Sequence, residues 1–238
     1  MSEPQPGQID RADRILDAAK DLLLRWGYRR VAIDEIARHA GVGKGTVYLH
    51  WRSREQLFFA VGAREAVSML STVVTGMRGD PKEIALHRYM RRFFLEAMSR
   101  PVLRAIFTRD TDVLGRFLSS PARRPLQSAK LLASREYLAV LAENGLLRAD
   151  LRPEDLDYTL PAVVFGFFGI DPLLSPETHL GLPDKADQLA GTLRHAFGPA
   201  KPPPSAQIAA AAPRVIAIFD RHTEDYRRAA YEASTDER

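Results

Sequence analysis

The segment from Lys44 to Trp51 carries side chains that can donate hydrogen bonds and has no carboxylate; the donors are Lys44, Thr46, Tyr48 and His50. Ammonium and hydroxyl groups of this kind bind phosphate oxygens, and a lysine also donates to the base edge of guanine. Gly45 has no side chain, so a polyanion backbone could approach closely there. These residues predict hydrogen-bonded recognition of a nucleic acid.

Two short helices joined by a tight turn would position these donors. Ile36 and Ala40 supply apolar contacts for the first helix, and Ala37 is small enough for a close helix crossing. Gly41 suits a turn that needs φ > 0. Apolar residues of the second helix follow at Val42 and Val47. A glycine-centred turn between short helices is typical of a helix-turn-helix, which inserts its second helix into the DNA major groove.

The residue pattern does not support a nucleotide-binding loop, a metal site or a catalytic site. The letters GKGT at 43–46 resemble the end of a phosphate-binding loop, but Arg38 stands where its first glycine is needed and no strand precedes it. The six histidines show no helical ligand pair, and there is no G-x-S-x-G elbow. The sequence therefore predicts no metal site, no cofactor and no catalytic residues, and we expect a protein that is not an enzyme.

Composition is that of an ordinary soluble protein, with 45% hydrophobic and 27% charged residues. The net charge of +4 is compatible with a polyanionic partner. The chain has no cysteine, which excludes disulfides and thiolate zinc sites. The polar N-terminus has no signal-peptide core, and the apolar stretch at 160–170 is too short to span a bilayer. We expect a cytoplasmic protein without membrane contact.

Helical periodicity dominates the chain, and the predicted fold class is all-α. Residues 1–8 are expected to be a disordered tail, 9–53 a DNA-binding domain and 54–198 a helical body. A proline-rich linker and a C-terminal helix would fill 199–238. Gly27 should end the first helix, and Ser53 with Gln56 predicts a capping box for a long helix from about Arg54 to Met77.

The segment from Arg14 to Leu57 resembles the N-terminal domain of TetR-type transcriptional regulators. The matching letters are RILDAA at 14–19, GY at 27–28, IA at 36–37, AGV at 40–42 and GTVYLHWRSREQL at 45–57. Many fixed spacings are met together over roughly the first quarter of the chain. The remainder is similar only in length and helical layout.

Four positions depart from the family pattern. Ala32 stands where a threonine commonly caps the first helix of the motif, a loss typically worth about 0.5–2 kcal/mol. We expect Asp34 in the first turn to compensate through the helix dipole. Gly43 stands where serine commonly caps the second helix. Trp51 and Arg54 replace the common phenylalanine and lysine, and they keep an aromatic core anchor and a phosphate-binding cation.

The resemblance implies a homodimer with a three-helix DNA-binding head and a helical ligand-binding and dimerisation body. It also implies a palindromic double-stranded operator and a small-molecule effector that releases the protein from it. The residues expected to contact DNA are Arg38, Lys44, Gly45, Thr46, Tyr48, Leu49, His50 and Arg54.

The body carries a stripe of large apolar side chains that suits either core packing or a pocket for an apolar effector. The pocket candidates are Met69, Met90, Phe93, Phe94, Phe107, Phe117, Phe165 and Phe168. The apolar helix at 156–170 is hard for one small subunit to bury on all sides. The residues predicted for the dimer interface are Val163, Val164, Phe167, Leu189 and Leu193.

The leading interpretation is an effector-responsive repressor. One alternative is a helical dimerisation or ligand-sequestering module whose DNA-binding head is vestigial. A second is a small helical nucleotide-dependent or hydrolytic enzyme, for which the sequence contains no complete catalytic constellation.

Overall fold

A computed structural model describes residues 6–115 and 124–231, and the regular structure in these ranges is entirely helical, which confirms the all-α prediction. Short 3-10 turns precede α5 and separate α9 from α10. The helices are α1 (Pro6–Trp26), α2 (Ile33–His39), α3 (Lys44–His50), α4 (Arg54–Gly79), α5 (Leu86–Ser99), α6 (Pro101–Phe107), α7 (Thr111–Leu114), α8 (Arg124–Glu143), α9 (Pro153–Gly169), α10 (Leu182–Phe197) and α11 (Ser205–Tyr231).

The chain forms two compact units, each drawn from separate stretches of sequence. The first comprises Met1–Val67, Pro101–Leu126 and Glu224–Arg238, and the second comprises Ser68–Arg100 and Gln127–Thr223. The predicted linear division at residues 53 and 198 differs from this grouping. The reason is that α4 and α11 each contribute residues to both units.

The first unit is organised around α1, whose start and end are both set by local chemistry. The helix begins at Pro6, inside the segment predicted as a disordered tail, and proline is favoured at a first helical position. Gly27 ends the helix as predicted, with φ +73°. A Cβ on Gly27 would lie 2.5 Å from the carbonyl oxygen of Asp112, so only glycine fits there. This close approach lets the Tyr28 N–H donate to the carbonyl of Val113 at 2.7 Å.

The core of the first unit joins the predicted helix-turn-helix to its neighbours. Ile15 and Leu16 of α1 are fully buried, as are Ile36 of α2 and Val47 of α3. Phe58 from the start of α4 packs into the same cluster. Burying such apolar side chains contributes about 1.5–3 kcal/mol each, and this core therefore fixes where α3 lies.

In the second unit α10 packs along α5, and this contact involves residues that were predicted for the dimer interface. Leu189 and Leu193 of α10 are fully buried, and Val164 of α9 is 7% exposed. These three side chains are covered within the single chain. Val163 and Phe167 remain half-buried.

The apolar helix α4 is long and apolar enough to cross a membrane by length and composition alone. In the structure 61% of its most apolar window is buried inside the protein, as expected of a core helix. Among the described residues, α4 is the one helix that meets both criteria.

Candidate nucleic-acid interface

The turn between α2 and α3 has the predicted glycine geometry. Gly41 has φ +65°, and nothing lies within 4 Å of the position of a Cβ there, so the requirement is conformational. The Val42 N–H donates to the Ala37 carbonyl at 2.9 Å, and the Gly41 N–H donates to the Arg38 carbonyl at 3.2 Å. This pair of bonds is the Schellman arrangement, which satisfies the last carbonyls of α2. The turn is therefore fixed by hydrogen bonds within the motif.

The start of α2 is capped by a residue that the sequence analysis did not select. The Ala32 side chain cannot cap the helix, but the Glu35 carboxylate accepts a hydrogen bond from the Ala32 N–H at 3.0 Å. This bond is half of a capping box. Glu35, three residues after the cap, thus supplies the compensation that was expected from Asp34.

The predicted cap at the start of α4 is present, although only half of the capping box forms. The Gln56 N–H donates to the Ser53 hydroxyl oxygen at 3.1 Å, whereas the Gln56 amide oxygen accepts from the N–H of Arg52, one residue before the cap, at 2.8 Å. These bonds fix the direction in which the chain leaves α3 and enters the long helix.

The outward face of α3 and its surroundings present five of the predicted DNA contacts to solvent. Leu49 is 81% exposed and Tyr48 is 43% exposed. Arg38, Lys44 and Gly45 are exposed as well, and nothing lies within 4 Å of the position of a Cβ on Gly45. A nucleic-acid backbone could therefore approach the first turn of α3 without a steric obstacle. Thr46 is half-buried.

The carboxylate of Asp34 lies beside this face, and the sequence did not predict it there. The Lys44 Nζ donates to Asp34 Oδ2 at 2.9 Å, with both side chains largely exposed. This hydrogen bond raises the pKa of Lys44. The signal in the sequence was an acidic residue in the first turn of α2 and a lysine opening α3, two positions that the motif brings together. A carboxylate at this point can accept from the cytosine amino group and repels phosphate.

Arg54, predicted to bind phosphate, makes internal contacts in the structure. Its Nη1 donates to the carbonyls of Val31 at 3.2 Å and Tyr28 at 3.4 Å. The guanidinium carbon lies 4.2 Å from the centre of the Tyr28 ring, a cation–π contact. These contacts join the start of α4 to the segment between α1 and α2.

The same tyrosine binds a second residue of α4. The Tyr28 hydroxyl donates to the Glu55 carboxylate at 2.7 Å, and this hydrogen bond lowers the pKa of Glu55. Burial raises the pKa of Tyr28. Tyr28 therefore holds α4 through both its ring and its hydroxyl.

His50, another predicted contact, is only half exposed and lies 5.3 Å, ring centre to ring centre, from Trp51. Burial, followed by the charge of Arg11, lowers the pKa of His50. Its imidazole is therefore neutral near pH 7, when it can hydrogen-bond but brings no cationic charge to a phosphate.

The residues predicted to line an effector pocket lie in different parts of the structure. Phe94 and Phe168 are buried with ring centres 4.8 Å apart, and Phe93 lies 6.3 Å from Phe168. Phe165 of α9 is 49% exposed. Met69 is buried and Met90 half-buried in the second unit, Phe107 belongs to the first unit, and Phe117 lies outside the described residues.

Comparison with known proteins places this motif in a family. Residues 15–61 match the family model "Bacterial regulatory proteins, tetR family". The chain is 26% identical over 156 residues to the HTH-type transcriptional regulator YvkB of Bacillus subtilis, covering 65% of this chain and 79% of that protein. It is 24% identical over 194 residues to the HTH-type transcriptional repressor AcnR of Corynebacterium efficiens, covering 78% and 94%.

Solved structures share the fold along most of the chain. The fatty acid degradation regulator FadR from Bacillus halodurans superposes with a TM-score of 0.59 at 18% identity, over 81% of this chain and 96% of that one. FadR from Bacillus subtilis, solved in complex with stearoyl-CoA, gives a TM-score of 0.53 at 16% identity, over 76% and 96%. The motif geometry, the family model over residues 15–61 and these relatives agree: the N-terminal region is a helix-turn-helix domain of the tetR family of bacterial regulatory proteins, and the chain is a DNA-binding transcriptional regulator.

Proposed function

We propose that the protein is a homodimeric repressor that occupies a palindromic operator and leaves it when a small, mainly apolar molecule binds the second unit. The observation that carries the proposal is the face of α3 on which Lys44, Gly45, Tyr48 and Leu49 are exposed to solvent. A helix presented in this way fits the major groove. The relative AcnR is a repressor, which supports this direction of regulation. Such a protein acts in the cytoplasm, where bacterial DNA lies.

The dimer is proposed to form through the outer face of α9 and the segment that follows it. Tyr158 is 79% exposed and Phe165 is 49% exposed, and between them Ala162 offers a small residue for close packing. The apolar surface continues beyond the helix, where Leu173 is 80% exposed and Leu180 is 49% exposed. Exposed apolar residues in this density are typical of interaction surfaces. A two-fold axis beside α9 would cover them by pairing the surface with its copy.

The effector is proposed to bind among the large apolar side chains of the second unit. Phe93, Phe94 and Phe168 form one aromatic cluster, and Met69 is buried in the same unit. Apolar burial favours a ligand by about 25 cal/mol per Å². FadR from Bacillus subtilis, of the same fold, binds stearoyl-CoA, an acyl-bearing molecule. Release from DNA requires that the effector bind the DNA-free conformation more tightly, since equal affinity shifts nothing.

Selection of random DNA duplexes with the purified protein tests the DNA-binding part of the proposal. We expect a palindromic consensus, with affinity falling steeply as salt rises because counterions are released. The Tyr48→Phe variant should weaken binding to all duplexes about equally, since a phosphate contact carries no sequence code. Failure to enrich any duplex would instead support the alternative of a ligand-sequestering module with a vestigial head.

A further inference from the structure

The last turn of α11 belongs to the DNA-binding unit, some 180 residues along the chain from the helix-turn-helix. Trp51 directly follows α3 and is 3% exposed. Its indole N–H donates to the carbonyl of Ala230 at 3.2 Å in a buried position. Carbonyls in the last turn of a helix have no partner within the helix. The Ala230 carbonyl is therefore free to bind the residue that ends the DNA-contacting helix.

A second contact ties the same turn to α1 and α4. The Tyr231 hydroxyl donates to Asp13 Oδ1 at 2.6 Å. Asp13 Oδ1 also accepts from Arg64 Nη1 at 3.2 Å, and Arg64 Nη2 binds Asp17 at 2.5 Å. Burial, followed by the hydrogen bond to Asp13, raises the pKa of Tyr231 to about 12. The hydroxyl is therefore a stable donor at physiological pH.

Apolar packing also joins the last turn of α11 to α4. Ala230 is fully buried and packs with Ala63 of α4, which is 2% exposed. Phe59 and Tyr226 lie against this pair. Two alanines facing each other let the backbones of α4 and α11 approach closely, and a larger side chain at either position would separate them.

We propose that the end of α11, acting through Ala230 and Tyr231, is a positioning element of the DNA-binding head that sets the orientation of α3. The matched family region at 15–61 does not include these residues, so the contact is an addition outside the shared motif. The proposal rests on the DNA-binding function assigned above. Trp51 and Tyr231 act through the placement of α3 and touch no DNA themselves.

The test removes both hydrogen bonds without changing charge. The double variant Trp51→Phe/Tyr231→Phe loses the two donors, keeps the ring of residue 231 and leaves a smaller aromatic ring at residue 51. The control is Trp26→Phe, because Trp26 is 46% exposed and lies outside both the DNA-contacting face and the proposed dimer surface. Affinity is measured for the duplex selected by the wild-type protein and for an unrelated duplex of equal length, at one salt concentration.

We expect the double variant to bind the selected duplex about tenfold more weakly, as two lost hydrogen bonds would allow. Its affinity for the unrelated duplex should stay at the wild-type value, because non-specific binding depends on charge. The control should match the wild type on both duplexes. Equal affinity of variant and wild type for the selected duplex, or equal weakening on both duplexes, would overturn the proposal.

Tryptophan fluorescence tests the contact between Trp51 and the end of α11 without DNA. The chain has two tryptophans, so Trp26→Phe leaves Trp51 as the sole indole. Adding Tyr231→Ala should shift its emission to the red and increase quenching by acrylamide, whereas adding Arg227→Ala, a change at an exposed residue of the same helix, should not. Unchanged emission with Tyr231→Ala would show that the end of α11 does not hold Trp51. If the wild-type protein selects no duplex, the DNA-binding function fails, and the emission result still decides the contact.

Discussion

Replacing Arg54 with alanine tests whether this residue stabilises the fold through internal contacts or binds a DNA phosphate. The guanidinium makes two long hydrogen bonds through one nitrogen and a cation–π contact with Tyr28. A hydrogen bond that involves a charged group contributes about 1.5–3 kcal/mol, and a partly exposed cation–π contact about 0.5–1 kcal/mol. Because both bonds share Nη1, we expect Arg54→Ala to lower the free energy of unfolding by about 2–3 kcal/mol. The thermal midpoint should fall by about 5–10 °C.

The salt dependence of DNA binding then distinguishes the two roles. Each phosphate contact contributes about 0.9 to the slope of log affinity against log salt, so one contact per subunit gives about 1.8 in a dimer. We expect Arg54→Ala to leave this slope unchanged while lowering affinity for all duplexes. Arg38→Ala is the control, because Arg38 is exposed on α2, and it should flatten the slope without loss of stability.

The reasoning is refuted if Arg54→Ala flattens the slope by about 1.8 and leaves the free energy of unfolding unchanged. That result would place the guanidinium on a phosphate in the complex. Arg54→Lys should resemble alanine in stability, since lysine cannot stack on Tyr28 and reach both carbonyls.

Three further outcomes follow from contacts described above. Asp34→Asn should strengthen binding to unrelated duplexes and steepen the salt slope, because Lys44 loses its carboxylate partner; an unchanged slope would reject this role. Tyr28→Phe should cost most stability near neutral pH and less as the pH falls through the lowered pKa of Glu55, since the bond favours the ionised carboxylate; an equal loss at pH 3 and pH 7 would contradict it. Phe165→Glu should shift sedimentation toward a monomer, and a dimer of unchanged stability would exclude this face of α9.

The helix-turn-helix was predictable because its determinants are local. A glycine with φ > 0, small and apolar residues at fixed spacing, and a capping box all act within about ten residues of one another. The face of α3 follows directly from these signals. The same holds for Gly27 and for the cap at Ser53, which the structure confirms.

Contacts between distant segments were not predictable in this way. Periodicity indicated that Leu189 and Leu193 are buried, but it could not say whether α5 or a second subunit covers them. The role of Arg54 depends on carbonyls of the α1–α2 connection, whose direction is set by tertiary packing. The apolar residues of α11 indicated docking, without indicating that its last turn would bind Trp51.

The contact between Tyr231 and Asp13 places the last turn of α11 beside α1, since their side chains meet at 2.6 Å. Proteins whose first and last elements are neighbours are candidates for circular permutation. A linker that joins residue 238 to residue 1, with new ends at the exposed Lys201 between α10 and α11, would leave every described helix uninterrupted. In that permutant α11 would lead into α1, and the DNA-binding unit would be encoded by two stretches of sequence instead of three.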